Sequence, residues 1–188
     1  MPNYVHSSLT IVGNKKDLIK FKTFAQSQVN CYTGAKELNV LDTQNFIPYP
    51  KKYLDLDIKP KTKIETNEFG QKFSIRGTDG FNSGGYDWCV KNWGSKWGIS
   101  EPELNVDENE KGAEYTNSEA PDKGSRLIYS FQTAWSPISP VIKKMSVLFP
   151  KLEFSYFCNE ESNAFVFQAE YKKGKLTGEE DLREYEDD

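Results

Sequence analysis

The stretch that decides the fold is Leu127-Ile-Tyr129-Ser-Phe131-Gln-Thr133-Ala-Trp135, followed by Ser136-Pro-Ile-Ser139-Pro140-Val-Ile142-Lys-Lys-Met145-Ser-Val-Leu148-Phe-Pro150 and then Leu152-Glu-Phe154-Ser-Tyr156-Phe-Cys158. Its first part alternates, with Leu127, Tyr129, Phe131, Thr133 and Trp135 on one side, which is the period of a strand. Ser136-Pro137 stops that strand. Ser139 then reads as an N-cap with Pro140 at the first helical position, and Ile138, Val141, Ile142, Met145 and Leu148 form a helical stripe. Phe149-Pro150 closes the helix, and Leu152 to Cys158 alternates again. A further strand, Ala164 to Tyr171, follows a turn at residues 159–163, so this pair reads as a hairpin.

Working outward, Tyr4 to Val12 alternates as a first strand, with Val5, Leu9 and Ile11 on its apolar side. Gly13-Asn14 breaks it, and Asn14 caps a helix whose third position is Asp17. Leu18, Phe21, Phe24 and Ala25 extend that helix to about Gln28. Between about residues 32 and 123 the reading is of a large, irregular insertion. Phe46-Ile-Pro48-Tyr-Pro50 is too proline-rich for a central strand, and a short hairpin is expected around Asn67-Glu-Phe-Gly70. Ser83-Gly-Gly85 opens a short helix with Tyr86, Val90 and Trp93 on one face and Gly94 as its left-handed stop. Ser95 to Val106 is read as a strand. Strand, helix, insertion, strand, helix, strand, strand is α+β: an antiparallel, ferredoxin-like sheet with helices on one face and a large insertion after the first helix.

Residues 1–178 are therefore expected to form one domain, and residues 179–188 an acidic, disordered tail. That last segment carries seven acids and one base, so it accounts for more than the whole net charge of −4 and leaves the body at +2. With 14% aromatic residues a sizeable core is available. No apolar run is long enough for a bilayer, Met1-Pro-Asn-Tyr4 lacks the pattern of a signal peptide, and Cys31, Cys89 and Cys158 lack metal-type spacing. A reduced, cytosolic protein is the expectation, in the host cell cytosol once the resemblance below is added.

All four tryptophans sit in two segments, residues 88–97 and 131–137. A buried indole N–H needs a partner, so Trp88, Trp93, Trp97 and Trp135 mark either the core or the wall of a site. As a site they would supply an aromatic wall with Lys96 and Thr133 as its polar groups. That composition suits stacking of a nucleobase or docking of a partner's apolar side chain. Trp135, which continues an apolar face, is expected to be buried.

Other chemistries find little support. His6 is the sole histidine, which removes most Ser-His-Asp, Cys-His and zinc-hydrolase readings. Glu160 and Glu161 in a turn, and Asp79 and Asp87 beside glycines, are carboxylates without a spacing that specifies a mechanism. Gly77, Gly80, Gly84 and Gly85 lack the Lys-Ser/Thr ending of a phosphate loop, although the helix they open offers N–H groups to an anion. Ala164-Phe-Val-Phe167 shares the core of an RNA-recognition strand, but the preceding basic-glycine pair is missing and the body has no basic footprint.

The two tryptophan segments carry a resemblance. Asn92-Trp93-Gly94-Ser95-Lys96-Trp97, Thr133-Ala-Trp135-Ser-Pro137 and the proline-rich Phe46-Ile-Pro48-Tyr-Pro50 are similar to the pattern of the YubB-like, ferredoxin-like family of phage and plasmid proteins. Ser95 and Ile138 stand where that pattern more often has threonine and proline. The resemblance implies a ferredoxin-like fold and a mobile-element origin, and no established activity. It leads to the expectation of a non-enzymatic accessory protein that binds a host protein or a nucleotide-type signal of host defence, without cofactor or metal. The alternative is an RNA-binding module or a small carboxylate-dependent enzyme on the same sheet. Nucleic acid and membrane are not expected partners, and the oligomeric state is not specified by these residues.

Overall fold

The computed structural model describes residues 3–30, 35–107, 125–162 and 164–182. In chain order the elements are β1 (Tyr4–Gly13), α1 (Lys15–Ala25), β2 (Ser27–Asn30), β3 (Lys36–Asn39), α2 (Thr43–Phe46) and α3 (Lys51–Ile58). There follow β4 (Thr62–Thr66), β5 (Lys72–Arg76), a π-type turn (Phe81–Gly85), α4 (Tyr86–Trp93) and β6 (Ser100–Asp107). The C-terminal part holds β7 (Ser125–Ala134), α5 (Ser139–Leu148), β8 (Glu153–Glu160), β9 (Val166–Lys172) and β10 (Lys175–Asp181).

Six strands form one antiparallel sheet in the order β10-β9-β8-β1-β7-β6. β1 leads through α1 and the insertion to β6, with β7 seated between them. β7 leads through α5 to β8, with β1 seated between them. Two interlocked split β-α-β units of this kind are the ferredoxin-like arrangement, and β9 and β10 extend it beyond β8. The fold class is therefore α+β and ferredoxin-like.

The register explains the core. Leu9 faces Tyr129 on one side and Tyr156 on the other, and Ile11 faces Leu127 and Phe154. The alternation of all three strands thus delivers apolar side chains to one face in level rows. Phe21 of α1 fills the centre, with ring contacts to Tyr129, Phe154, Phe149 and Phe46 at 5.1–6.2 Å. Ile138, Val141, Ile142 and Met145, in and just before α5, are fully buried beside it. On this face the Ser7 and Tyr156 hydroxyls lie within hydrogen-bond distance, 3.1 Å apart.

Several expectations need correction. α1 stops at Ala25, not near Gln28, because its last carbonyls are claimed from outside. Ala25 O accepts from the Asp42 amide, and the Asn45 side chain donates to Phe24 O and Gln26 O. Asn14 does cap its start, accepting from the Asp17 amide at 3.0 Å. Ser139 is already helical, with Ile138 at the cap and no side-chain cap bond. The insertion is more regular than its sequence suggests, since α2 and α3 flank the proline segment and β2–β3 and β4–β5 form two small hairpins. The strand read over 95–106 begins only at Ser100.

The tail reading fails where it can be checked. Glu179, Glu180 and Asp181 pair with Ala169, Gln168 and Phe167 as the outer half of β10, and the Leu182 amide donates to Val166 O. The missed signal is Lys173-Gly174, whose φ values of 51° and 75° make a two-residue turn that matches strand twist. Residues 183–188 lie outside the described part, as do Cys31 and residues 108–124.

Candidate functional site

Two hydrogen-bonded corners bring the tryptophan segments together. α4 ends at Gly94, whose φ of 87° is left-handed, and a Cβ there would lie 2.6 Å from Pro137 O. Only glycine permits that approach. The Ser95 hydroxyl then donates to Ala134 O at 2.8 Å, and the Ser136 hydroxyl donates to Gly94 O at 2.6 Å. Thr133 Oγ1 donates to Ser136 O at 2.9 Å, and the Trp135 amide donates to Asn3 O. The end of β7 is thereby pinned to the segment after α4.

This clamp overturns the expected burial of Trp135. Both Thr133 and Ala134 are buried, which breaks the alternation, and Trp135 turns outward with φ 64° and 46% exposure. A bulky residue in the left-handed region carries strain of about 1–3 kcal/mol, which persists only where neighbours over-determine the backbone. The Ser95, Ser136 and Thr133 bonds do so here.

The candidate site residues consequently divide. Trp93 is 5% exposed and its Nε1 donates to Ile47 O at 2.8 Å, so it is core. Trp88 is half-buried, edge-on to Trp93 and Tyr49 at 5.4 and 5.7 Å. Thr133 is fully buried and spends its hydroxyl on the corner. These three leave the site for the scaffold. Lys96, Trp97 and Trp135 stay together, with Lys96 Nζ 4.5 Å from the Trp97 ring centre and 4.7 Å from that of Trp135. Among the described residues no carboxylate pairs with Lys96, so the two aromatic faces are what hold its charge.

Beside them opens a cleft of about 410 Å³, lined by Phe81, Asn82, Gly84, Tyr86, Asp87, Lys96 and Trp135. The far wall, from the π-type turn and the start of α4, is what the sequence reading left out. Its glycines are there for packing: a Cβ on Gly80 would lie 1.9 Å from Tyr53 O, and one on Gly85 2.0 Å from the Tyr49 hydroxyl. α3 sits that close. Four of the turn's five amides are already taken, which leaves little of an anion cradle. The Phe81 amide donates to Asp57, the Asn82 amide to Asp79, and the Ser83 and Gly85 amides to backbone carbonyls. Asn82 also gives its side-chain amide N–H groups to both Asp79 oxygens, at 2.9 and 3.2 Å.

Elsewhere the nucleophile and acid–base candidates are quiet. Burial pushes the Cys89 thiol up to about 11 and the Cys158 thiol up to about 12, so neither is a thiolate near neutral pH. Burial, followed by the Asp57 carboxylate, pushes the Tyr49 hydroxyl up to about 12. His6 Nε2 lies 3.8 Å from Glu161 on the exposed side of the sheet. Among the described residues no group of three or more His, Cys, Asp and Glu side chains is placed to hold a metal ion, and no helix is long and apolar enough to cross a membrane. Phe165 and Phe167, the aromatics of the RNA-recognition-like strand, pack against the core instead of facing out as a stacking platform.

Comparison with known proteins agrees with the fold. No curated protein matches the chain. By structure, the chain is similar to the crystal structure of the protein api92 from Yersinia pseudotuberculosis, with a TM-score of 0.53 over 98% of this chain and 99% of that one, at 9% identity. By sequence, residues 113–188, which span β7 to β10 and α5, match the model of the ferredoxin-like domain in Api92-like protein.

Proposed function

We propose that this protein acts by binding, and that the cleft between Trp135, Lys96 and the Phe81–Asp87 wall takes a small, planar, nucleotide-type ligand. The observation that carries the proposal is Trp135 itself: a large aromatic held half in solvent, on a strained backbone, by four hydrogen bonds. Core packing does not need such a residue there, and an exposed indole plate beside a cation suits stacking of a base with an attached phosphate. A host protein's apolar side chain is the poorer occupant, since it would cover Asp87 and Asn82 without giving them donors. The raised thiols and the exposed position of the sole histidine, His6, support binding over catalysis.

The likeness of both tryptophan segments to the YubB-like proteins of phages and plasmids supports a role in the cytosol of a host cell. On this reading the protein is a mobile-element accessory that sequesters a nucleotide signal of host defence. A thermal-shift and tryptophan-fluorescence screen of mononucleotides and cyclic nucleotides tests it. Binding should raise the melting temperature and quench the fluorescence. Trp135→Ala and Lys96→Ala should each weaken it by about tenfold or more, at a cost in stability of about 1 kcal/mol or less. Nucleotide binding that survives both substitutions, or no binding at all, overturns the assignment of this cleft.

A further inference from the structure

The Asn82 carbonyl and the Asp87 carboxylate that line the cleft are both acceptors, and we infer that the base it accepts is a guanine. The inference rests on the binding reading above. Asn82 gives both its backbone and its side-chain N–H groups to Asp79. A carboxylate can only accept, so the orientation of the Asn82 amide is fixed and its Oδ1 is turned away from Asp79 as an acceptor. Asp87, exposed on the first turn of α4, is likewise an acceptor. Among the described residues lining the cleft, Asn82 and Asp87 thus present acceptors, the Tyr86 hydroxyl can donate or accept, and Lys96 is the side-chain cation.

A base stacked on Trp135 meets these acceptors with its edge. Guanine alone among the common bases carries two adjacent donors, N1–H and the 2-amino group, which match the two oxygens of a carboxylate as a parallel pair. Adenine sets its N1 lone pair, and cytosine its N3 lone pair, against the Asp87 carboxylate. Uracil offers one donor between two carbonyls. Each mismatch sets a lone pair against the carboxylate or leaves one of its oxygens without a donor, and such unpaired groups are what polar sites discriminate by. Lys96 completes the match. Its ammonium lies over the Trp135 ring, draws on the π-cloud and favours an electron-rich base beside it, and its charge suits a 5′-phosphate.

Titrating the intact protein with guanosine, inosine and adenosine 5′-monophosphates, followed by tryptophan fluorescence, tests the inference. Guanosine monophosphate should bind about tenfold or more tighter than adenosine monophosphate, with inosine monophosphate between them because it lacks the 2-amino group. Asp87→Asn, at an exposed position, should leave the melting temperature unchanged and erase the preference. Equal affinity for the three, or a preference that survives Asp87→Asn, overturns guanine recognition while leaving the binding cleft standing. Failure of all three to quench the wild type, with Trp135→Ala unchanged, overturns both.

Discussion

Trp135 shows how much one residue's backbone decides. Its φ of 64° puts a β-favouring side chain where only glycine is at ease. Trp135→Ala should cost about 1 kcal/mol or less, because the ring is half in solvent, against the 3–5 kcal/mol of a truncated core aromatic. Trp135→Gly should be more stable than Trp135→Ala by about 1 kcal/mol, the reverse of their order in an ordinary strand. Urea unfolding of the two variants checks this, and an alanine variant as stable as the glycine one would mean the strain is absent. Glu160 makes a second point at this scale. It is buried at the end of β8, and the Ser162 hydroxyl first, with the Ser162 and Ala164 amides, holds its carboxyl below the usual range. Its folded pKa lies below its unfolded value of about 4.3. The stability it adds is thus complete above that value and is lost as the pH falls through the folded pKa. Glu160→Gln should therefore flatten the acid limb of a stability profile below about pH 5, and an unchanged slope would remove Glu160 as a contributor.

At the scale of elements, the contrast lies between strands that share a sheet and strands that do not. Among the described residues β4 and β5 pair with each other and their side chains are exposed, with Ile64 of β4 at 74% and Phe69 of the turn between them at 78% exposure. An isolated two-stranded hairpin is marginal in water. Replacing residues 62–76 by a short Gly-Ser linker should then shift unfolding by about 1 kcal/mol or less, roughly two to four degrees. Hydrogen exchange should find those amides nearly unprotected while β1 exchanges only through global unfolding. Protection of β4 and β5 comparable to β1 would contradict this. β10 is the opposite case. Its acids look like a solvated run, yet on an edge strand charge is useful, because it discourages pairing with another chain. Deleting residues 179–188 removes the pairs to Ala169, Gln168 and Phe167 and bares the edge of β9. A fall of several degrees in melting temperature is expected, and an unchanged value would show that the outer half of β10 adds nothing.

For the whole molecule, the core gathers where α1 and α5 cover the sheet, and the insertion adds further structure beside it. α4 is tied to the sheet through the Gly94–Pro137 approach and the Ser95 and Ser136 bonds. Tyr53 of α3, and Tyr49 just before that helix, are in turn packed onto the π-type turn. An ion pair from Lys22 of α1 to Asp107 of β6, at 2.6 Å, links the first helix to the opposite edge. The cleft thus has one wall from the end of the central strand β7 and one from the insertion. That junction explains why neither tryptophan segment alone looks like a site.

Much of this was written in the chain. The period of two in Tyr4 to Val12, residues 127–133 and 152–158, and the helical stripes between them, determine the split β-α-β units, because burial of one face admits one register. Asn14 and Gly94 mark a helix start and a helix stop through local chemistry that needs no distant partner. Trp135 could not be read this way. Its alternation with Thr133 is intact in the sequence, and only bonds from Ser95 and Gly94, about forty positions away, turn it outward. Trp93 and Thr133 left the site for the same reason, since a buried hydrogen bond to Ile47 or Ser136 has no sequence signature. Asp87 and Asn82 line the same cleft as Trp135 because tertiary packing, not spacing, brings them there. Local propensity and periodicity chose the elements, and long-range hydrogen bonds chose which of their side chains meet solvent.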